Sequence, residues 1–271
     1  MGARPLPGMA ALLTAGAVVL SGCGSQTPQR THASPAVTHA VPIAAGAQSV
    51  PTAAPVAAPR KTLKLGAKGK AVTWLQKRLT ELGYRPGKAD GRYGGTTLAA
   101  VWAFQKVNGI KPSSTIAKRT WAALETPKTP KVLVKNGKPT RAEVNLAKQI
   151  MVLYVGGEAK LITHISSGSG VPYCETTTWQ GREQRFCGSA RTPTGNYRTT
   201  WRTSGWHKSY LGQLYNPIFF NGGIAFHGAL SVPLYPASHG CVRLPMNVAQ
   251  VLPEMLGKGV PVHVRGSFKR P

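Results

Sequence analysis

QIMVLYVGGEAKLITHI, Gln149–Ile165, is the stretch from which the fold is read. Ile150, Val152 and Tyr154 alternate with Met151, Leu153 and Val155, so both faces of the segment are apolar. That pattern predicts a strand buried between two layers, not a half-solvated edge. Gly156-Gly157 supplies a turn, and Ala159 to Ile165 is the returning partner of a hairpin. Downstream, short apolar runs are punctuated by Gly, Pro and Asn, with one helical pattern from about Met246 to Leu256. Residues 133–267 are therefore expected to form a mostly-β domain.

Upstream of a short Lys/Pro linker, 126–132, the period changes. Across 62–125, Val72, Leu75, Leu79 and Leu82 recur at helical spacing before Gly83, and Leu98, Val101 and Phe104 do so before Gly109. Between them lies DGRYGGTT, Asp90–Thr97, whose glycines permit tight turns and whose threonines are expected to cap the following helix. Residues 23–61 are mostly Ala, Pro, Thr, Ser and Val without an acidic residue, too poor in large apolar side chains for a core. They read as a tether that reaches about 100 Å if fully extended. At the start, Arg4 precedes the apolar run Met9–Leu20, too short to span a bilayer but suited to a signal-peptide core in residues 1–22. Leu20-Ser21-Gly22-Cys23 resembles the lipobox of bacterial lipoproteins, which implies a lipidated Cys23 at the mature N-terminus, anchored on the outer face of the cell membrane. A plain secretory cleavage nearby is the alternative.

Thirty-four Lys and Arg against eight Asp and Glu give a formal net charge of +26, a field that attracts polyanions of any kind. The cations are spread along the chain, with no basic tail and no zinc-finger spacing, which argues against nucleic acid and leaves wall and membrane polyanions. Of the four cysteines, Cys174 and Cys187 lie close together in a polar segment. In an exported protein a disulfide closing so short a loop contributes about 3 kcal/mol, and the pair is expected to be bridged. Cys241 is left unpaired.

The chemistry concentrates in FHGA, ending at Ala229, and SHGCVRL, Ser238–Leu244. A thiol is mostly protonated at neutral pH, and an imidazole that takes its proton makes the attacking thiolate, so a Cys/His pair suffices for acyl transfer. Gly240 lets the backbone approach a substrate closely, and amides around a nucleophile form an oxyanion hole. Taken singly, such a Cys is more often a small buried hydrophobe and such a His a satisfied turn residue. Zinc is a rival, because His227, His239 and Cys241 are all legitimate ligands. A catalytic zinc site also needs a water-activating base, and no Asp or Glu occurs between Glu183 and Glu254. The same gap disfavours a Cys-His-Asp triad and points to a backbone carbonyl as the imidazole's orienter. No metal or cofactor is expected.

Two resemblances sharpen this reading. LGAKGKAVTWLQKRLTELGY, DGRYGGTT, AVWAFQ and TWAAL together resemble the small all-α, three-helix peptidoglycan-binding module, although Ser113, Ser114 and Ala117 stand where that family repeats its Asp-Gly turn. TPTGNY (Thr192–Tyr197), GGIAFHG (Gly222–Gly228) and SHGCVRL, in that order, resemble the L,D-transpeptidase catalytic domain of peptidoglycan synthesis. That resemblance implies a β-sandwich-like fold, Cys241 as acylated nucleophile and His227 as general base beside a main-chain carbonyl. It places His239 and Gly240 around the nucleophile and its oxyanion site, and Ser238, Arg243 and Gly228 on the substrate side. Arg243 suits a carboxylate of the anionic stem peptide, with a structural bond to backbone carbonyls as the alternative. Peptidoglycan is the implied partner and 3-3 cross-linking the implied outcome. An L,D-carboxypeptidase at the same site, a catalytically inactive wall-binding lipoprotein and, remotely, a papain-like peptidase are the rivals. Residues 171–191, inserted between SSGSG and TPTG, read either as a stapled flap over the crevice or as an inert excursion.

Overall fold

Three layers, helices on a sheet on a second sheet, make up the computed structural model, which describes residues 57–269. The signal segment, Cys23 and most of the expected tether lie outside the described residues.

The helical layer contains α1 (Lys70–Glu81), α2 (Gly95–Val107) and α3 (Lys118–Glu125). Val72, Leu75, Leu79, Val101, Phe104 and Trp121 are essentially solvent-free, as the helical period requires. The Asp90–Thr97 turn is organised from inside by Gln76. Its amide nitrogen donates to Asp90 Oδ1 at 3.0 Å, Arg92 O at 3.1 Å and Thr97 Oγ1 at 3.1 Å, and its carbonyl accepts from Gly91 N at 2.9 Å. Gly91 has φ +71°, and a Cβ there would sit 2.9 Å from Thr73 Oγ1, so the position demands glycine. The expected threonine cap does not form: Gly94 is the N-cap of α2 without a side-chain bond, while the buried Thr97 donates to Pro86 O at 2.9 Å. Burial recruits its hydroxyl to tie the turn together instead.

The β domain runs β1 (Arg141–Asn145), β2 (Ile150–Val155), β3 (Glu158–His164), β4 (Pro172–Trp179), β5 (Arg182–Ser189), β6 (Gly195–Arg198), β7 (Trp206–Ser209), β8 (Gly212–Asn221), β9 (Ile224–Gly228), β10 (Val242–Leu244), helix α4 (Met246–Met255) and β11 (Pro261–Arg265). One sheet has the order β3-β2-β1-β11-β6 and the other β10-β9-β8-β7, while β4 and β5 form a separate ribbon. Between the two sheets Ala142, Val144, Met151, Leu153 and Leu161 meet Ile218, Phe220, Phe226, Val242 and Leu244, and α4 closes the core with Val248, Ala249 and Leu252. This is the mostly-β, sandwich-like architecture expected.

The two apolar faces of β2 belong to different cores. Met151 and Leu153 point into the sandwich, whereas Ile150, Val152 and Tyr154 pack with Leu75, Leu79, Val101 and Phe104 of the helices. Gly83 O accepts from Ile162 N at 2.9 Å, and Lys106 Nζ donates to Gln149 O at 3.0 Å and lies 2.7 Å from His164 Nδ1. The Lys/Pro stretch expected as a linker is itself bonded to the helical layer. Lys128 N donates to Asn108 Oδ1 at 2.9 Å, and just beyond, Leu133 N donates to Glu143 Oε2 at 2.7 Å. Glu143 is itself paired with Arg141 at 2.7 Å, both nearly solvent-free.

Candidate active site

Strands β9 and β10 run parallel, with Val242 opposite Phe226 and Arg243 opposite His227. Alternation sends Phe226, Val242 and Leu244 into the sandwich core. It therefore turns His227 and Arg243 to the other face, and Cys241, two residues before Arg243, lies on that face as well. There Cys241 packs against Leu214, Phe219 and Ala225, with Sγ 3.6 Å from Gly223 O. It is the free thiol among the described residues.

Burial pushes the Cys241 thiol above its ordinary range, opposed by a main-chain hydrogen bond at Ala225 and the charge of Arg243. Burial pushes His227 down to about 4, partly offset by the Gly228 carbonyl and reinforced by Arg243. At neutral pH the thiol and the imidazole are consequently both neutral. Gly228 O lies 2.9 Å from His227 Nδ1, and because a carbonyl only accepts, Nδ1 carries the proton and Nε2 the lone pair.

The turn before the thiol is tied from three sides. Ser238 Oγ donates to Cys241 O at 2.5 Å and accepts from Gly240 N at 3.0 Å. Thr192 Oγ1 donates to Gly240 O at 2.6 Å and accepts from Gly168 N at 2.8 Å. Ser167 O accepts from the amides of both Ala237 and Ser238. Gly240 has φ +140° and a Cβ there would lie 3.0 Å from Arg191 O, which explains the glycine.

These ties revise some sequence expectations. Gly240 is beside the nucleophile, but its N–H is taken by Ser238 Oγ and is not a spare oxyanion donor. Ser238 is buried, with its hydroxyl committed to the turn. Gly228 is likewise buried: a Cβ would meet Ala249 Cβ at 2.9 Å and Met246 Sδ at 3.0 Å, so its lack of a side chain serves packing against α4. Arg243 shares the face of His227 and Cys241.

The 171–191 insertion is the antiparallel ribbon β4–β5, and Cys174 and Cys187 are directly opposed and disulfide-bonded, as expected. What the sequence did not reveal is where the ribbon touches. Glu175 Oε1 is 2.6 Å from His239 Nε2, Tyr173 meets the His239 ring edge-on at 4.7 Å, and Phe186 stacks on Tyr210 at 4.2 Å. A carboxylate thus reaches the site from upstream and partners His239, not His227. Glu175 had one signal, its place next to a cysteine of the staple; Thr192 had only its place in TPTG.

The L,D-transpeptidase catalytic domain profile matches residues 139–264, and that of a putative peptidoglycan binding domain matches residues 68–124. The crystal structure of an L,D-transpeptidase from Xylanimonas cellulosilytica DSM 15894 is 36% identical, with TM-score 0.65, over 76% of this chain and 98% of that one. The chain belongs to the L,D-transpeptidase family. A second L,D-transpeptidase structure, from Stackebrandtia nassauensis, is 25% identical with TM-score 0.42 over 76% of this chain and 96% of that one. Within this family the helical layer corresponds to the peptidoglycan-binding module and the β layers to the catalytic domain, so peptidoglycan is the partner of this transpeptidase and the cell wall its place of work.

Proposed function

We propose that the protein cross-links peptidoglycan stem peptides through a thioester on Cys241. His227 Nε2 takes the thiol proton, the thiolate attacks the carbonyl of the third stem residue, and the terminal D-alanine leaves with a proton. The side-chain amine of a neighbouring stem then captures the acyl group, forming a 3-3 cross-link and releasing the thiolate. Arg243 holds a carboxylate of the anionic donor stem. The observation that carries the reading is the shared sheet face: Cys241 leads directly into β10, which runs parallel beside the strand of His227, and Gly228 O at 2.9 Å fixes the tautomer that leaves Nε2 free to accept. In the same proposal Cys23 is lipidated, and residues 23–61 span from the membrane to the wall.

Mass spectrometry after incubation with a carbapenem and, separately, with a tetrapeptide muropeptide tests the nucleophile. An adduct on Cys241 is expected with each and is lost in Cys241→Ala; no adduct with either sinks the reading and leaves a wall-binding protein. Tripeptide as the sole product from the muropeptide, even with an amine acceptor present, converts it to an L,D-carboxypeptidase.

A further inference from the structure

The two histidines near Cys241 occupy opposite settings. His227 is 6% exposed, on a strand, bonded to a backbone carbonyl. His239 is 29% exposed by side chain, on a loop, and bonded at Nε2 to Glu175 Oε1, itself 47% exposed. Acidic groups are scarce, eight in 271 residues, so a carboxylate two positions from the nucleophile along this contact is not background. Its place in the ribbon is set by a few local links. Cys174 beside it is bridged to Cys187, and Phe186, its cross-strand partner, is stacked on Tyr210. Tyr173 folds across Gly188, where a Cβ would be 2.8 Å from its hydroxyl, and presses its ring against His239.

We propose that Glu175 and His239 form the acceptor-side dyad of the enzyme: Glu175 positions His239 to take the proton of the amine that resolves the thioester. The inference rests on Cys241 being the acylated nucleophile. The two half-reactions ask for different bases. Forming the thioester needs a base on the sheet face of the thiol, where the buried His227 lies. Resolving it needs one on the solvent side, because the acceptor arrives from solvent as an ammonium ion and is nucleophilic only after losing a proton. The Glu175 carboxylate attracts that cation and gives no such advantage to water, so the dyad favours amine capture over hydrolysis. Since a carboxylate accepts, His239 Nε2 carries a proton toward Glu175 and Nδ1 presents the lone pair. In the step itself the ammonium first gives up one proton to solvent, the neutral amine nitrogen bonds to the acyl carbon, the C–S bond breaks with its electron pair returning to Cys241 Sγ, and the second proton on that nitrogen passes to His239 Nδ1. Glu175 acts through His239 and is a positioning residue.

The test is product partition on the full-length protein, supplied with a tetrapeptide donor and an amine-bearing acceptor stem, scoring cross-linked against hydrolysed product and, in parallel, the rate of Cys241 acylation. In Glu175→Gln the ratio of cross-linked to hydrolysed product is expected to fall about tenfold, with acylation changed far less; Glu175→Asp recovers part of the ratio, and His239→Gln matches the loss. An unchanged ratio in Glu175→Gln, or equal loss of acylation and cross-linking, overturns the dyad while leaving Cys241 acylation intact as a finding. Wild-type protein that never acylates overturns both readings.

Discussion

Strand β2 and the ribbon β4–β5 are both regular extended structure, and they are held by opposite means. Five of the six residues of β2 are buried, its two faces locked into the helical core and the sandwich core. Across β4 and β5 not one residue is buried, and a disulfide, ring contacts of Tyr173, Trp179 and Phe186, and one carboxylate–imidazole contact hold the ribbon in place. Where water is excluded, position follows from area removed from solvent and cannot change without unfolding. Where it is not, position follows from a few local links and can change by itself. The proposed two halves of the reaction divide along this line, His227 on the rigid sheet and His239 against the adjustable ribbon.

The comparison breaks most readily at Phe104, fully buried where the helices meet Tyr84 and the outer face of β2. Phe104→Ala is expected to cost about 4 kcal/mol, the range for truncating a buried aromatic. Because helices and sheet share that core, urea unfolding followed by helical and aromatic probes should shift together. A loss below about 1 kcal/mol, or a helical transition that separates from the β domain, would mean that the junction is not one core.

Acid sharpens the contrast, because buried imidazoles must charge while solvent-side groups need not move. His227 is held down to about 4 and His164 to about 3, both from 6.5 and both chiefly by burial. Their folded pKa values lie below the unfolded one, so between these limits the unfolded chain binds more protons and stability rises with pH. The stability is present above 6.5 and is lost as the pH falls toward 4 and then 3. For His227 alone that loss is about 3 kcal/mol. His164 also receives a bond from Lys106 and lies against Val232 O at 2.9 Å, so protonation there disturbs the helix–sheet junction too. Urea midpoints measured from pH 7.5 to 3.5 should descend through this window, and less steeply in His164→Gln; a flat profile would contradict the burial argument.

Legibility in the sequence follows the same division. Periodic burial leaves a periodic trace, so α1, α2, the hairpin β2–β3 and α4 were readable from Val72, Leu75, Leu98, Val101 and the Ile150–Val155 alternation. That alternation also required two covering layers, yet nothing local said that one would be the helical module, because the Lys/Pro stretch at 126–132 looks like a separator. The ribbon left no periodic apolar trace and read as a flap or an inert excursion, marked by its cysteine spacing. In the site, Cys241 and His227 were visible through their motifs and the orienting carbonyl through the absence of nearby acids. Thr192 bonding Gly240 across 48 residues and Glu175 reaching His239 across 64 were not, since such contacts are written in the folded path of the chain.

The smallest global effect is expected where the comparison is most specific. Cys174→Ser combined with Cys187→Ser frees a 13-residue separation, and chain entropy assigns about 3 kcal/mol to such a closure. No ribbon residue contributes to either core, so that energy belongs to the ribbon's own order and not to global unfolding, whose free energy should move by less than about 1 kcal/mol. Hydrogen exchange separates the two: amides of β4 and β5 should exchange about a hundredfold faster, while β2 and β9 keep their protection. Global unfolding that tracks loss of the disulfide would make the ribbon a structural brace. Unchanged ribbon exchange would instead mean that the Phe186–Tyr210 stack and the Glu175–His239 contact hold it without the covalent bond.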